Sequence, residues 1–343
     1  VGETYDLASL SQKNQKFRDL LCDFYITFNN PEAAIPLLQA TLDCYPYSIN
    51  HWNSLGKCYL STNDYEEAHE AIDFALAIDD SNAEALTLKA FCYQQSGELQ
   101  KSCDYYLRLA EQQENKTRAY LALAKTYFEM QDYTSSIYYI EALLDNKDAL
   151  SKYELSELYG DIALCHAALK HIGVGQASIR RSLELNENDP DTLIVAGRFF
   201  LMEAKACNDE TAKAENQAKG ELYFRQALNL IMEDERLDYL FTIGAACFDT
   251  QNFKLAAQYY EQINREFPDN APATYFFLAY CYFYLEEAIS CMHYIAKMKH
   301  ELPDAYSNLG TSDSILSDTR FNELMRNLKD SVNNGKVDLD NFL

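Results

Sequence analysis

Small residues recur along this chain about every 34 positions, and large apolar residues recur with them. Eight small residues form a first series: Cys22, Gly56, Ala90, Ala124, Ala163, Gly197, Gly244 and Ala279. A second series follows, 12 positions later in six of the eight cases: Ala34, Ala68, Ser102, Ser136, Gly175, Gly220, Ala256 and Ala288. A large apolar residue stands four positions after each member of the second series: Leu38, Ile72, Tyr106, Ile140, Ile179, Phe224, Tyr260 and Met292. The pattern predicts pairs of antiparallel helices that cross at their small residues, with large residues between successive pairs.

Polar dipeptides predict the turns inside these pairs: Asn29-Asn30, Asn63-Asp64, Gly97-Glu98, Gln131-Asp132 and Gln251-Asn252. Two irregularities interrupt the period. Residues 151–155 are five extra positions, which predict an extended helix start or a short kinked connection. The sixth pair has 23 positions between its small residues. Its alanine-rich residues 204–219 predict two lengthened helices with a turn at Asn208-Asp209, the alternative being a disordered loop.

The second unit carries a recognisable motif: Trp52, Leu55, Gly56 and Tyr59, then Asp64-Tyr65-Glu66-Glu67-Ala68, then Ala75-Leu76. The motif resembles the tetratricopeptide repeat (TPR) family, in the form of bacterial multi-repeat proteins. The resemblance implies an all-α fold, a right-handed superhelical solenoid of about eight helix–turn–helix repeats with a C-terminal capping helix. The repeats are 15–48, 49–82, 83–116, 117–150, 156–189, 190–234, 237–270 and 272–303.

Segments at both ends lie outside this array. Residues 1–14 are an N-terminal lead-in or the remnant of an earlier repeat. Phe321, Leu324, Met325, Leu328 and Val332 follow helical spacing, so residues 304–332 are expected to contain the capping helix. The alternative is that this helix plugs the groove of the array. Residues 333–343 are expected to be a mobile tail.

Charge and cysteine content narrow the class of partner and the compartment. A net charge of −24 disfavours both a nucleic-acid backbone and an anionic membrane as partners, so we expect no nucleic-acid partner. The most apolar run, residues 274–285, is too short to insert in a membrane.

Four of the ten cysteines share one repeat position and are expected to be packed, reduced thiols: Cys58, Cys92, Cys165 and Cys281. Reduced thiols favour the cytoplasm, although the first residue is Val and a removed signal peptide stays an alternative.

No motif for catalysis, for a cofactor or for a metal is present. The six histidines have no metal-ligand spacing, and no phosphate-binding loop, dinucleotide fingerprint or nucleophile motif occurs. The sequence therefore predicts a protein that is not an enzyme and that needs no cofactor.

In TPR proteins the concave groove is lined by the first helix of each repeat. Its positions here predict a peptide-binding surface: Lys57, Leu121, Lys125, Phe128, Ile194, Arg198, Leu201, Phe241, Phe248, Phe276, Tyr280 and Phe283. Apolar residues would supply contact area and the cations would orient acidic groups of a peptide. In the alternative, the aromatic residues pack between repeats. The family's chaperone-tail clamp is not supported, because Asp19, Asp23, Phe91 and Leu121 occupy its positions.

The sequence thus favours a non-catalytic scaffold that binds a protein or peptide partner, as a monomer or a weak homo-oligomer. The alternatives are an assembly subunit that associates through the array ends and the sixth repeat, or a regulatory domain of a larger protein.

Overall fold

The computed structural model describes residues 15–28, 30–145, 150–303, 306, 315 and 318–333, and within them the chain is helical, without a strand. Two compact units divide it, residues 1–149 and 150–343. The first unit contains four helical hairpins. Their helices are α1 (Gln15–Thr27), α2 (Pro31–Cys44), α3 (Ile49–Thr62), α4 (Tyr65–Ile78), α5 (Ala83–Gln95), α6 (Leu99–Ala110), α7 (Lys116–Glu129) and α8 (Tyr133–Leu144).

The second unit contains four further hairpins and a terminal helix. Their helices are α9 (Lys152–Ala168), α10 (Ile172–Leu185), α11 (Pro190–Ala206), α12 (Glu210–Leu228), α13 (Arg236–Asp249), α14 (Phe253–Glu266), α15 (Tyr275–Tyr284), α16 (Ala288–Glu301) and α17 (Thr319–Asn333). A short 3-10 helix, Pro268–Thr274, leads into α15. Helices of a hairpin pack on each other in both units, as the period of small residues predicts.

The turns inside the hairpins share one backbone conformation. In six hairpins a residue one or two positions after the end of the first helix has a positive φ, between 60° and 76°: Asn63, Gly97, Gln131, Lys170, Gln251 and Glu286. The next residue donates its backbone N–H back into the first helix, as Asp64 does to the Tyr59 carbonyl oxygen at 2.9 Å. These bonds satisfy backbone groups that a helix end leaves free. The predicted turns that lie within the described residues are confirmed. The turn at Lys170, which was not among the predicted ones, has the same conformation.

Small residues lie where the two helices of a hairpin cross. Ala34, Ala68 and Ala90 are fully buried. At Gly56 a Cβ atom would lie 2.7 Å from Cγ1 of Ile72, and at Gly244 it would lie 2.8 Å from the Tyr260 ring. Both partners are the large residues expected four positions after the second small residue. The register of the repeat is therefore confirmed at these crossings.

The two irregular stretches are both helical. Five additional residues extend α9 at its start, where Ser151 and Glu154 form a capping box. The 11 additional residues of the sixth hairpin lengthen α11 to 17 residues and α12 to 19 residues. The turn falls at Asn208-Asp209, and the Asp209 side chain caps α12 through the Ala212 N–H at 2.7 Å. The described residues 204–219 form no disordered loop.

The eighth hairpin departs from the predicted register. In hairpins such as the second, the second helix begins three positions before its small residue, Tyr65 before Ala68. The last second helix begins at Ala288 itself, so its buried small residue is Cys291 and its large residue is Ile295. Met292 is exposed. The assignment of Ala288 and Met292 was therefore wrong, because Cys291 is the residue that keeps the regular spacing of 12 from Ala279.

Helix α17 packs on the end of the second unit. Phe321 is buried, and its ring centroid lies 6.3 Å from that of Phe283 on α15. Leu324 and Met325 pack against the same core, which also contains Ile315. The predictions for Asn29, for residues 1–14, for most of 304–317, for the side chains of Leu328 and Val332 and for residues 334–343 concern positions outside the described residues.

None of the ten cysteines, all of which lie among the described residues, forms a disulfide, and eight of them are buried. Cys58, Cys92, Cys165 and Cys281 are among the buried ones, as their shared position predicts. Among the described helices, none combines the length and the apolar character needed to cross a membrane.

Candidate functional site

The predicted groove residues of the first unit lie on α3 and α7. Lys57 is exposed on α3 and forms an ion pair with Glu84 of the next hairpin. Asn53 donates to the other Glu84 oxygen at 2.9 Å, and these bonds lower the pKa of that carboxyl against the opposing effect of its burial. Lys57 therefore links two hairpins, and a ligand carboxylate would compete with Glu84 for it.

Three predicted residues of this unit lie on α7. Leu121 and Phe128 are half-buried and lie on the same face of the helix, two turns apart. Lys125 lies between them along the chain and is exposed. Phe128 contacts Tyr133 edge-to-face with ring centroids 5.3 Å apart. Within the described part of the chain Lys125 makes no ion pair, so its charge is available to a ligand.

Phe91 belongs to this surface, and the sequence prediction did not include it. It stands one position after Ala90 on α5, the repeat position that Lys57 and Lys125 occupy on α3 and α7. Its side chain is 41% exposed, although it is a large aromatic residue in a helix. The signal was present, since the same position count that selected the two lysines also selects Phe91.

An aromatic cluster occupies the predicted positions of α13 and α15 in the second unit. Phe276 lies with its ring centroid 4.6 Å from that of Tyr280, which contacts Phe248 at 6.3 Å. Phe276 is 38% exposed, whereas Phe248 and Phe241 are half-buried and pack against the core. Phe248 contacts two more rings, Phe253 and Phe277, both at 5.6 Å. Phe276 is therefore the accessible edge of the cluster.

Arg198 is the predicted cation of the second unit. It lies on α11, and its guanidinium is 3.6 Å from the Asp249 carboxylate at the end of α13. The ion pair joins the first helices of hairpins six and seven. Arg198 thus has an internal partner and is less available than Lys125.

Three predicted groove residues are buried in the core, which corrects their assignment. Ile194 and Leu201 belong to the core of the second unit, and Leu201 packs beside Gly220 at the crossing of α11 and α12. Phe283 is covered by Phe321 and by the Arg320 guanidinium. Leu201 is covered at this crossing, and Phe283 is covered by the C-terminal helix. None of these three side chains is accessible to a ligand.

Other surfaces offer less chemistry. Two depressions of the second unit, of about 380 and 590 Å³, are lined mainly by residues of the second helices and the inter-hairpin loops, with Arg236 and Leu193 from first helices, and include no predicted groove residue. The exposed residues at the tip of the sixth hairpin are mostly polar, including Asn208, Asp209 and Glu210. Among the described residues no group of three histidine, cysteine or acidic side chains could hold a metal ion.

The fold and this surface define a repeat protein of stacked helical hairpins. The tetratricopeptide-repeat family model matches residues 53–117. A tetratricopeptide repeat protein from Parabacteroides merdae has the same fold, with a TM-score of 0.58 and 12% identity over 74% of this chain and 92% of that chain. The stacked hairpins therefore have the fold of tetratricopeptide repeat proteins.

Two further solved structures are similar at lower scores. The C-terminal part of a TPR repeat-containing protein from Cytophaga hutchinsonii has 16% identity and a TM-score of 0.46, over 74% of this chain and 92% of that chain. YrrB, described as a TPR protein with an unusual peptide-binding site, has 14% identity and a TM-score of 0.39, over 60% of this chain and 96% of that chain. The sequence has no match among the curated proteins.

Proposed function

We propose that this protein is a non-catalytic scaffold that binds a segment of a partner protein on the concave positions of its first helices. One observation carries the proposal. Phe91 is 41% exposed at the repeat position where the neighbouring first helices expose Lys57 and Lys125. Between these two cations a large aromatic side chain is exposed to water. A partner that covers it lowers the free energy, because apolar area is buried.

The chemistry of this surface defines the partner segment. Phe91 and the half-buried Leu121 and Phe128 would contact an apolar side chain. Lys125 would accept a carboxylate beside it, because its ammonium group has no ion pair among the described residues. We therefore propose a peptide or helix with an aromatic or aliphatic anchor and an acidic residue nearby.

The second unit offers a separate surface with a different preference. Phe276 and Tyr280 expose aromatic area, while Arg198 is already paired with Asp249. A ligand there would be held by apolar contacts and would not need an acidic group. Phe241 and Phe248 support this surface from below. The strong negative charge of the whole chain, −24, disfavours nucleic acid as the ligand of either surface.

Selection from a displayed peptide library on the purified protein tests the proposal. Enriched peptides should share an apolar anchor with a nearby Asp or Glu. Phe91→Ser and Lys125→Glu should each weaken binding of such a peptide by about tenfold or more, the size of a central interface contact. Circular dichroism should be unchanged, because both side chains are exposed.

Two control variants make the result specific. Tyr138→Ser removes an exposed aromatic ring from the second helix α8, and Lys254→Glu makes the same charge change on the second helix α14. Both should leave peptide affinity unchanged. If the selected peptides bind the Phe91 and Lys125 variants with the same affinity as the wild type, the proposal for the first unit is contradicted.

A further inference from the structure

Helix α4 exposes an aromatic ring at a repeat position that is small or polar in every other hairpin. Phe74 stands six positions after Ala68, and its side chain is 53% exposed. The same count, taken from Cys291 in the eighth hairpin, gives the aligned residues Ala40, Arg108, Ala142, Arg181, Gln226, Gln262 and Lys297. None of these is a large apolar residue, so the stacking of hairpins does not require a ring at this position.

Trp52 of α3 supports Phe74 from one side. The two rings are stacked, with centroids 4.6 Å apart and an angle of 19° between their planes. The indole N–H of Trp52 donates to the Pro46 carbonyl oxygen at 2.8 Å, which holds the indole in place. Phe74 makes no other ring contact within the described part of the chain, and Ile78, one turn further along α4, is also exposed. The opposite face of the Phe74 ring is therefore open to a partner.

The charges beside this open ring are negative. Helix α4 contains no lysine or arginine and carries four carboxylates: Glu66, Glu67, Glu70 and Asp73. Asp73 is already paired with the buried Lys89 at 2.6 Å. Glu70 is exposed one turn before Phe74 on the same face of the helix, and it makes no ion pair with any residue that the structure describes. Glu70 is therefore a carboxylate that a cation of a partner can use.

We propose that Phe74, supported by Trp52, and Glu70 form a docking site for an arginine of a basic, partly apolar segment of a partner protein. The guanidinium stacks on the open face of Phe74 and donates to the Glu70 carboxylate. Ile78 contacts an apolar side chain of the same segment. A second copy of this chain, docked through the same face, would bring its own four carboxylates against these, so charge favours a basic partner. The site lies on a second helix, and it goes beyond the proposed first-helix surface and does not depend on it.

The fluorescence of Trp52 provides a direct test, because it is the only tryptophan of the chain. The probe is the capped peptide Leu-Arg-Ala-Leu-Arg-Ala, compared with the same peptide carrying lysine in place of arginine. The arginine peptide should change the Trp52 emission in a saturable way. The lysine peptide should bind more weakly by about threefold or more, because an ammonium group cannot stack on the ring as a guanidinium does.

Matched variants locate the binding on α4. Phe74→Ala introduces the residue that Ala40 and Ala142 place at the same repeat position, so the helix should fold normally. It should weaken binding of the arginine peptide by about threefold or more, measured by calorimetry because the variant itself alters Trp52 emission. Glu70→Gln should weaken binding by a similar factor.

The control variant is Asp104→Asn on α6. Asp104 is exposed at the repeat position of Glu70, but Arg108 stands there in place of Phe74. It removes one negative charge without touching the proposed site, so binding of the arginine peptide should be unchanged. Phe91→Ser should also leave it unchanged, which separates this site from the first-helix surface.

Four results would overturn the inference. The first is the absence of saturable binding of the arginine peptide to the wild type. The second is equal affinity of the wild type and Phe74→Ala, which would mean that the peptide is attracted by the net charge alone. The third is equal affinity for the arginine and lysine peptides, which would remove the stacking contact. The fourth is a concentration-dependent dimer in light scattering that Phe74→Ala converts to a monomer, which would assign the face to a second copy.

Discussion

Phe224 fills the space beside Gly197 in the sixth hairpin, so closely that a Cβ atom on Gly197 would lie 2.3 Å from Cε1 of its ring. Phe224 is fully buried on α12, and Gly197 is on α11. The lengthened hairpin therefore keeps the crossing that the repeat period predicts, with the small residue on one helix and the large ring on the other.

Gly197→Ala should lower the free energy of unfolding by about 1–3 kcal/mol, because the added methyl group forces the Phe224 ring or the helix to move. Chemical denaturation followed by circular dichroism measures this. Gly173→Ala is the matched control, since a Cβ there meets nothing within 4 Å. Its stability should be unchanged or greater by up to about 1 kcal/mol. Equal stability of Gly197→Ala and the wild type would contradict the close packing of Gly197 against the Phe224 ring.

Thiol labelling should separate the ten cysteines by burial. In the folded protein Cys44 should react rapidly and Cys207 more slowly, because Cys44 is exposed and Cys207 is half-buried. The other eight should be protected until the protein is denatured. Burial raises the pKa of Cys92 and Cys103 to about 11 and that of Cys281 to about 12, which suppresses the reactive thiolate further. Loss of the fast phase in Cys44→Ser identifies it, and fast labelling of Cys92 would contradict the packing.

Glu203→Gln should stabilise the protein at neutral pH by about 1–3 kcal/mol. Glu203 is 2% exposed on α11, and its Oε1 atom has no hydrogen-bond partner among the described residues. Burial raises the pKa of its carboxyl, while the Gln176 amide and the Lys219 charge oppose that shift. The amide of Gln keeps an acceptor for Gln176 and removes the buried charge.

The pH dependence of this variant has a defined sign. A raised pKa in the folded state stabilises the wild type below the unfolded pKa, and this stabilisation is lost as the pH rises through the folded pKa. The advantage of Glu203→Gln should therefore be small near about pH 3 and grow toward about pH 7. Glu215→Gln, at an exposed position of the same hairpin, should show no such trend. A pH-independent difference would mean that the carboxyl is not desolvated.

Phe248→Ser and Phe276→Ser should differ in stability although both lie at groove positions. Phe248 contacts three aromatic rings and packs on the core, so its loss should cost about 1–3 kcal/mol. Phe276 is more exposed, and its removal should cost less than about 1 kcal/mol. Thermal unfolding of the two variants compares them directly. A larger loss of stability for Phe276→Ser than for Phe248→Ser would contradict the assignment of Phe276 to the surface and of Phe248 to the residues that support it.

Spacing predicted the helical hairpins well, because burial of small residues at a crossing depends on local periodicity. It failed in the eighth hairpin, where the prediction selected Ala288 although Cys291 is the buried small residue. Cysteine is only slightly larger than serine, and the first series already includes Cys22, so counting Cys291 in the second series recovers the regular spacing of 12.

Position counting was a weaker guide to the candidate surface. It selected Lys125, which is exposed, but it also selected Leu201 and Phe283, which are buried. Leu201 is covered because it packs beside Gly220 where α11 and α12 cross. Phe283 is covered by Phe321 from a segment about 40 residues further along the chain. The repeat period carries no information on the contact between Phe283 and Phe321.

The sequence by itself determined the helical class, the hairpin period, the turn positions and the burial of most cysteines. These properties follow from interactions within one hairpin or between successive ones, and such interactions repeat with the sequence. Only the tertiary structure decided which groove residues reach solvent, that Lys57 is engaged by Glu84 while Lys125 has no ion pair in the described chain, and that α17 packs over Phe283. Exposure depends on all elements that pack around a residue, including those outside the repeat, so a local pattern cannot determine it.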